Sequence, residues 1–115
     1  MENFVGNLKL EKYEDYVNIF DALSHPVRIK IIGILAEGRQ YVSELARLVN
    51  ISRPLLYMHL KKLEAARLVT SAMELSGSGK AMKYYALEDF GLHVTKELLG
   101  HLSQSIVIEN PSGKQ

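Results

Sequence analysis

The stretch from Ser52 to Val69, Ser-Arg-Pro-Leu-Leu-Tyr-Met-His-Leu-Lys-Lys-Leu-Glu-Ala-Ala-Arg-Leu-Val, limits what this chain can fold into more than any other. Ser52 can accept a hydrogen bond from a free backbone N–H in the first turn of a helix that follows it. Pro54 falls within that turn, where its missing N–H costs nothing. Leu56, Leu60 and Leu63 recur at i, i+4 and i+7 and so share one apolar face. The opposite face carries Arg53, Tyr57, Met58, Lys61 and Lys62. A helix over 52–66 therefore buries leucines on one side and offers cations and an aromatic ring on the other.

The flanking sequence narrows the fold further. Ser43 is placed to cap a helix over 43–49, with Leu45, Leu48 and Val49 inward, and Asn50-Ile51 makes the turn into the next helix. Two short helices joined by three or four residues have helix-turn-helix spacing. Beyond Ala66 the apolar period changes from about 3.6 to about 2. Two extended runs, Arg67–Leu75 and Lys80–Leu87, flank Ser76-Gly77-Ser78-Gly79, whose residues tolerate turn conformations. This predicts a hairpin over 68–87 with Lys80 at its tip and Lys83 on its second strand. A basic-tipped hairpin directly after a helix-turn-helix is a winged-helix arrangement.

Two further helices bracket this unit. Residues 8–23 read as amphipathic, with Tyr13, Tyr16, Val17, Phe20 and Leu23 on one stripe. That stripe suits packing on its own domain or a subunit interface equally well. Ser24 can cap a helix over 26–37 that has Pro26 in its first turn. Arg39–Val42 reads as a short strand. A last helix over 89–102 aligns Phe90, Val94, Leu98 and Leu102. The expected fold is mainly α with a small β-hairpin: one winged helix-turn-helix domain over 1–103, followed by a tail, 104–115, expected to fray.

Charge is segregated along the chain. Residues 1–38 hold four Lys/Arg against six Asp/Glu (−2), residues 39–87 eight against three (+5), and residues 88–115 two against four (−2). A basic block that coincides with the helix-turn-helix and hairpin is what a polyanion-binding face requires. With no cysteine there is no disulfide, thiolate metal site or thiol chemistry. No apolar run approaches the ~20 residues of a membrane span, and the N-terminus lacks a signal pattern, so a cytoplasmic protein without a membrane partner is expected. There is no constellation for nucleophilic catalysis, and Ser76–Gly79 lacks the Lys-Ser/Thr context of a phosphate loop, which argues against an enzyme.

The order helix, helix, helix-turn-helix, wing, helix resembles the ArsR-type winged-helix regulators, over residues 16 to 100. The resemblance is carried by Leu23-Ser24-His25-Pro26-Val27-Arg28-Ile29-Lys30-Ile31, Val42-Ser43-Glu44-Leu45-Ala46, Ile51-Ser52-Arg53-Pro54 and His59-Leu60-Lys61-Lys62-Leu63-Glu64-Ala65-Ala66-Arg67-Leu68-Val69. The related MarR-type winged helices share much of this pattern. The resemblance implies a homodimeric regulator of transcription that binds double-stranded DNA, more often a repressor than an activator. It implies that Arg53, Pro54, Tyr57, Met58 and Lys61 face the major groove, with Ser52 and Lys62 on the same helix and Lys80 and Lys83 on the wing. It places the dimer interface on the first and last helices, at Tyr13, Tyr16, Val17 and Phe20 and at Phe90, Val94, Leu98 and Leu102. The chain departs from the family pattern at Tyr57, where a small residue is usual, and at Met58, where a basic or polar one is. Arg67 stands where a glycine commonly ends the helix.

Metal sensing does not carry over with the resemblance. Asp89, His93, Glu97 and His101 lie at spacing four on the expected last helix, a pattern that a solvated helix face explains without a ligand role. No cofactor is expected, and an effector, if one acts, is not identified by any motif. An alternative function for the same fold is a winged helix used for protein contact in a transcription or replication assembly.

Overall fold

A computed structural model of the chain describes residues 2–111. Along it run β1 (Phe4–Val5), β2 (Leu8–Lys9), α1 (Tyr13–Leu23), α2 (Pro26–Ala36), β3 (Gln40–Tyr41), α3 (Val42–Val49), α4 (Arg53–Ala65), β4 (Val69–Leu75), β5 (Ala81–Leu87), β6 (Phe90–Gly91) and α5 (Lys96–Ser103). The Ser52 hydroxyl accepts from the Leu55 N–H at 3.4 Å and caps α4. Leu56, Leu60 and Leu63 are fully buried, in one core with Ile19 and Ala22 of α1, Ile31 of α2 and Leu45 of α3. At the far end Arg67 takes φ +65°. There the Arg67 N–H donates to the Glu64 carbonyl at 2.9 Å and the Leu68 N–H to the Leu63 carbonyl at 3.0 Å. This paired C-terminal cap turns the chain out of α4 and straight into β4.

The hairpin forms in continuous antiparallel register from Val69↔Leu87 to Leu75↔Ala81. β3 adds to it through Tyr41↔Tyr84, giving the sheet order β3-β5-β4. Because β3 leads directly into α3, the wing is tied to the start of the helix-turn-helix.

The structure corrects several boundaries. The first helix begins at Tyr13 rather than at residue 8, because residues 4–9 form a hairpin. Val5 pairs with Leu8 across the two-residue loop Gly6-Asn7, and Gly6 has the φ of +56° that such a loop favours. β1 also pairs with β6, Phe4 opposite Gly91. A Cβ on Gly91 would stand 2.8 Å from the Phe4 ring, so the glycine makes room for the aromatic ring over the strand.

With Phe90-Gly91 used in this sheet, the last helix begins at Lys96 rather than 89, where the Thr95 hydroxyl accepts from the Leu98 N–H at 3.0 Å. Asp89 and His93 therefore lie off the helix, and their four-residue spacing to Glu97 and His101 is lost. No group of three or more His, Asp or Glu among the described residues is arranged to hold a metal ion.

Smaller differences follow the same logic. The buried face of α1 is Tyr16, Ile19 and Ala22, one position round from the expected stripe, which leaves Val17 51% exposed. His25, not Ser24, caps α2: its Nδ1 accepts from the Val27 N–H at 3.1 Å, while the Ser24 hydroxyl donates to the Asp21 carbonyl at 2.7 Å. α3 starts at Val42 directly after β3, so Ser43 lies inside its first turn instead of capping it. After α5, Val107 and Ile108 are exposed. Of the expected tail, residues 112–115 lie outside the described residues. No helix among the described residues is long and apolar enough to cross a membrane.

Candidate nucleic-acid interface

The outward side of α4 presents Pro54, Tyr57, Met58 and Lys61 at i, i+3, i+4 and i+7, all exposed. Strand β5 runs beside it. Arg53, Tyr57, Lys80 and Lys83 line a cleft of about 160 Å³ between the start of α4 and the wing, with Tyr41 and Ser43 at its rim. A second concavity, of about 400 Å³, is lined by Pro54, Tyr57, Met58, Lys61, Glu64, Lys83 and Tyr85. Tyr57 and Lys83 line both. Seven of the nine expected DNA-binding residues thus meet on one face, and Ser52 sits at its head. Lys62 does not join them: its ammonium pairs with Asp21 of α1 at 3.0 Å and ties α4 to that helix.

The basic block divides into spent and unspent charge. Arg39 is paired with Glu74, and Arg47 with Glu44. Arg53, Lys61, Arg67 and Lys80 have no ion-pair partner among the described residues, and of these Arg67 lies off the face, beside Val5 and Leu8 at the far end of α4. Lys83 turns inward, its ammonium 5.7 Å from the Tyr57 ring centroid and 5.3 Å from that of Tyr85. Donating to the Tyr85 hydroxyl holds the Lys83 ammonium above its ordinary pKa, and burial pushes the Tyr85 phenol up. Lys83 is therefore charged, and it braces the recognition-side ring of Tyr57 against the wing.

Two supporting clusters escape sequence reasoning. Toward the tip end of the wing the Arg39 guanidinium donates to both Glu74 oxygens, at 3.2 and 3.0 Å, and lies 4.1 Å from the Tyr84 ring centroid. The Tyr41 hydroxyl also donates to Glu74, and hydrogen bonds from Tyr41 and Arg39 hold that carboxylate below its usual pKa. The β3–β5 and β4–β5 registers together bring these residues to one place.

Beneath α4, Arg28 is 8% exposed and donates to the Ala22 carbonyl (2.8 Å), the Asp21 carbonyl (3.2 Å) and His59 Nδ1 (3.0 Å). A cation just past a helix end can satisfy its last carbonyls, which is the one signal that could have singled out Arg28. His59 is 2% exposed, with its ring 4.6 Å from that of His25. Its side-chain neighbours, Arg28 and His25, come from α2 and the residue capping it. Burial, and then the nearby His25 and Arg28, push the His59 pKa down, so the neutral ring accepts from Arg28.

The candidate interface residues separate into two groups. Tyr16 and Leu102 are buried within the single chain, the Tyr16 hydroxyl donating to the Leu10 carbonyl at 3.3 Å. Tyr13, Phe20, Phe90 and Leu98 are half-buried against the core. Val17 and Val94 are exposed, as is Leu99, which the expected set omitted.

Residues 25–71, spanning α2 to the start of β4, match the model of the bacterial regulatory protein, arsR family. The chain is 38% identical over 94 residues to an uncharacterized HTH-type transcriptional regulator of Methanocaldococcus jannaschii, covering 82% of this chain and 98% of that one. It is 31% identical over 86 residues to the HTH-type transcriptional repressor SmtB of Mycobacterium tuberculosis, covering 75% of this chain and 61% of the repressor's length. Its fold is similar to the homodimeric winged helix-turn-helix DNA-binding domain Mb0332 of Mycobacterium bovis, with a TM-score of 0.55, 21% identity and 65% of each chain covered.

Proposed function

Since this chain belongs to the arsR family of bacterial regulatory proteins, we propose that it acts in the cytoplasm as a homodimeric repressor that binds duplex DNA through α4 and the wing. One observation carries the reading: Arg53, Lys61 and Lys80, three cations of the basic block with no ion-pair partner among the described residues, border the face that α4 and β5 build together. Cations kept free of internal ion pairs can neutralise phosphates and release counterions, which gives affinity that falls steeply with salt. The exposed helix then lies in the major groove, and the hairpin tip at Lys80 reaches the adjacent backbone or minor groove.

Residues 1–103 serve as one DNA-binding and dimerisation unit. Val17, Val94 and Leu99 supply apolar surface that a second copy covers, placing two recognition helices on half-sites about 34 Å apart. Titration with random duplex DNA at two salt concentrations tests the reading. Affinity that drops by orders of magnitude between about 50 and 200 mM salt is expected. A wing used for protein contact would show little affinity and little salt dependence.

A further inference from the structure

The outward stripe of α4 is charged only toward its ends. Its middle is Tyr57, 41% exposed, and Met58, 54% exposed. Neither side chain can make the paired donor contact by which Arg or Lys reads guanine, nor the donor–acceptor pair by which Asn or Gln reads adenine. Both offer polarisable apolar surface in a concavity lined also by Pro54 and Tyr85, with Lys61, Glu64 and Lys83 as its charged members. The Tyr57 ring is also held in place, with the Lys83 ammonium against it. In the major groove the base edge that matches such a surface is that of thymine, the one base with a projecting methyl group.

We propose that α4 reads thymine C5-methyl groups through Tyr57 and Met58, while Arg53, Lys61 and Lys80 hold the phosphates on either side. This inference rests on the DNA-binding reading above and adds the chemistry of the bases it selects.

The test takes the duplex that the purified protein selects from a random pool and compares it with the same duplex carrying deoxyuridine for thymidine, which removes only the methyl groups. Losing one buried methyl contact per half-site should weaken binding about fourfold per site, or about fifteenfold for a symmetric pair. The salt dependence should stay the same, because no phosphate contact changes. In Tyr57→Ala and Met58→Ala, whose positions are exposed and outside the core, the preference for thymine over uracil should shrink toward one.

Equal affinity of the wild-type protein for the two duplexes would overturn the inference and leave the DNA-binding reading standing. A preference that survives in both variants would overturn it too, by placing the methyl contact elsewhere. Absence of any salt-dependent duplex binding would remove the DNA-binding reading and this inference with it.

Discussion

His59 and Arg67 show how single residues set the terms on which α4 is held. The neutral His59 ring accepts from the buried Arg28, and the native state binds a proton on that ring less readily than the unfolded chain, where the ordinary pKa is about 6.5. Below that pH the unfolded chain carries a proton that the folded one excludes. The His59 contribution to stability is therefore complete above about pH 6.5 and is lost as pH falls beneath it toward the depressed native value. The urea midpoint should drop between about pH 7.5 and 5.5. His59→Gln, which keeps an acceptor for Arg28 but cannot titrate, should drop less; an equal drop in both proteins would contradict the assignment. Arg67 carries a different cost, since its φ of +65° is a conformation that a non-glycine side chain resists. Arg67→Gly should raise stability by about 1 kcal/mol in chemical denaturation, and a loss of stability would show that the cap is not strained.

Among the elements, the small N-terminal sheet joins hydrogen bonds such as Gly6 N–H to the Asp89 carbonyl, at 2.7 Å, to one close approach of Phe4 over Gly91. Gly91→Val should drive a side chain into the Phe4 ring and destabilise the protein by about 1–3 kcal/mol. Amide exchange of Val5 and Gly91 should quicken; unchanged exchange would mean that β1 and β6 do not pair as described. That sheet was not legible beforehand because its strands are two residues long, too short for an alternating pattern to emerge. The dipeptide Gly6-Asn7 between Phe-Val and Leu-Lys was its one local signal. By contrast, α4, the wing and α2 could be read because each combines a run of apolar residues with a chemical stop or start: Ser52, Ser76–Gly79 and Pro26. The outward face followed from α4's own period, so Tyr57, Met58 and Lys61 could be placed together on it. The diversion of Lys62 to Asp21, and the Arg39–Glu74–Tyr41 cluster on the wing, depend on how separate elements meet. Local sequence does not encode that.

At the scale of the whole molecule, two copies must come together for two recognition helices to reach one operator. Val17 and Val94 are exposed in the single chain, so Val17→Glu/Val94→Glu should leave the fold intact by circular dichroism. Sedimentation should then show a monomer, and a dimer that persists would move the interface elsewhere. The central claim, that α4 and the wing form the DNA-binding face, is tested most directly by the salt dependence of duplex binding in Lys61→Ala/Lys80→Ala. Each phosphate contact contributes about 0.9 to the slope of log K against log salt, so a dimer that loses two per subunit should show a slope shallower by up to about 3.6. Wild-type affinity with an unchanged slope would place the DNA on another surface.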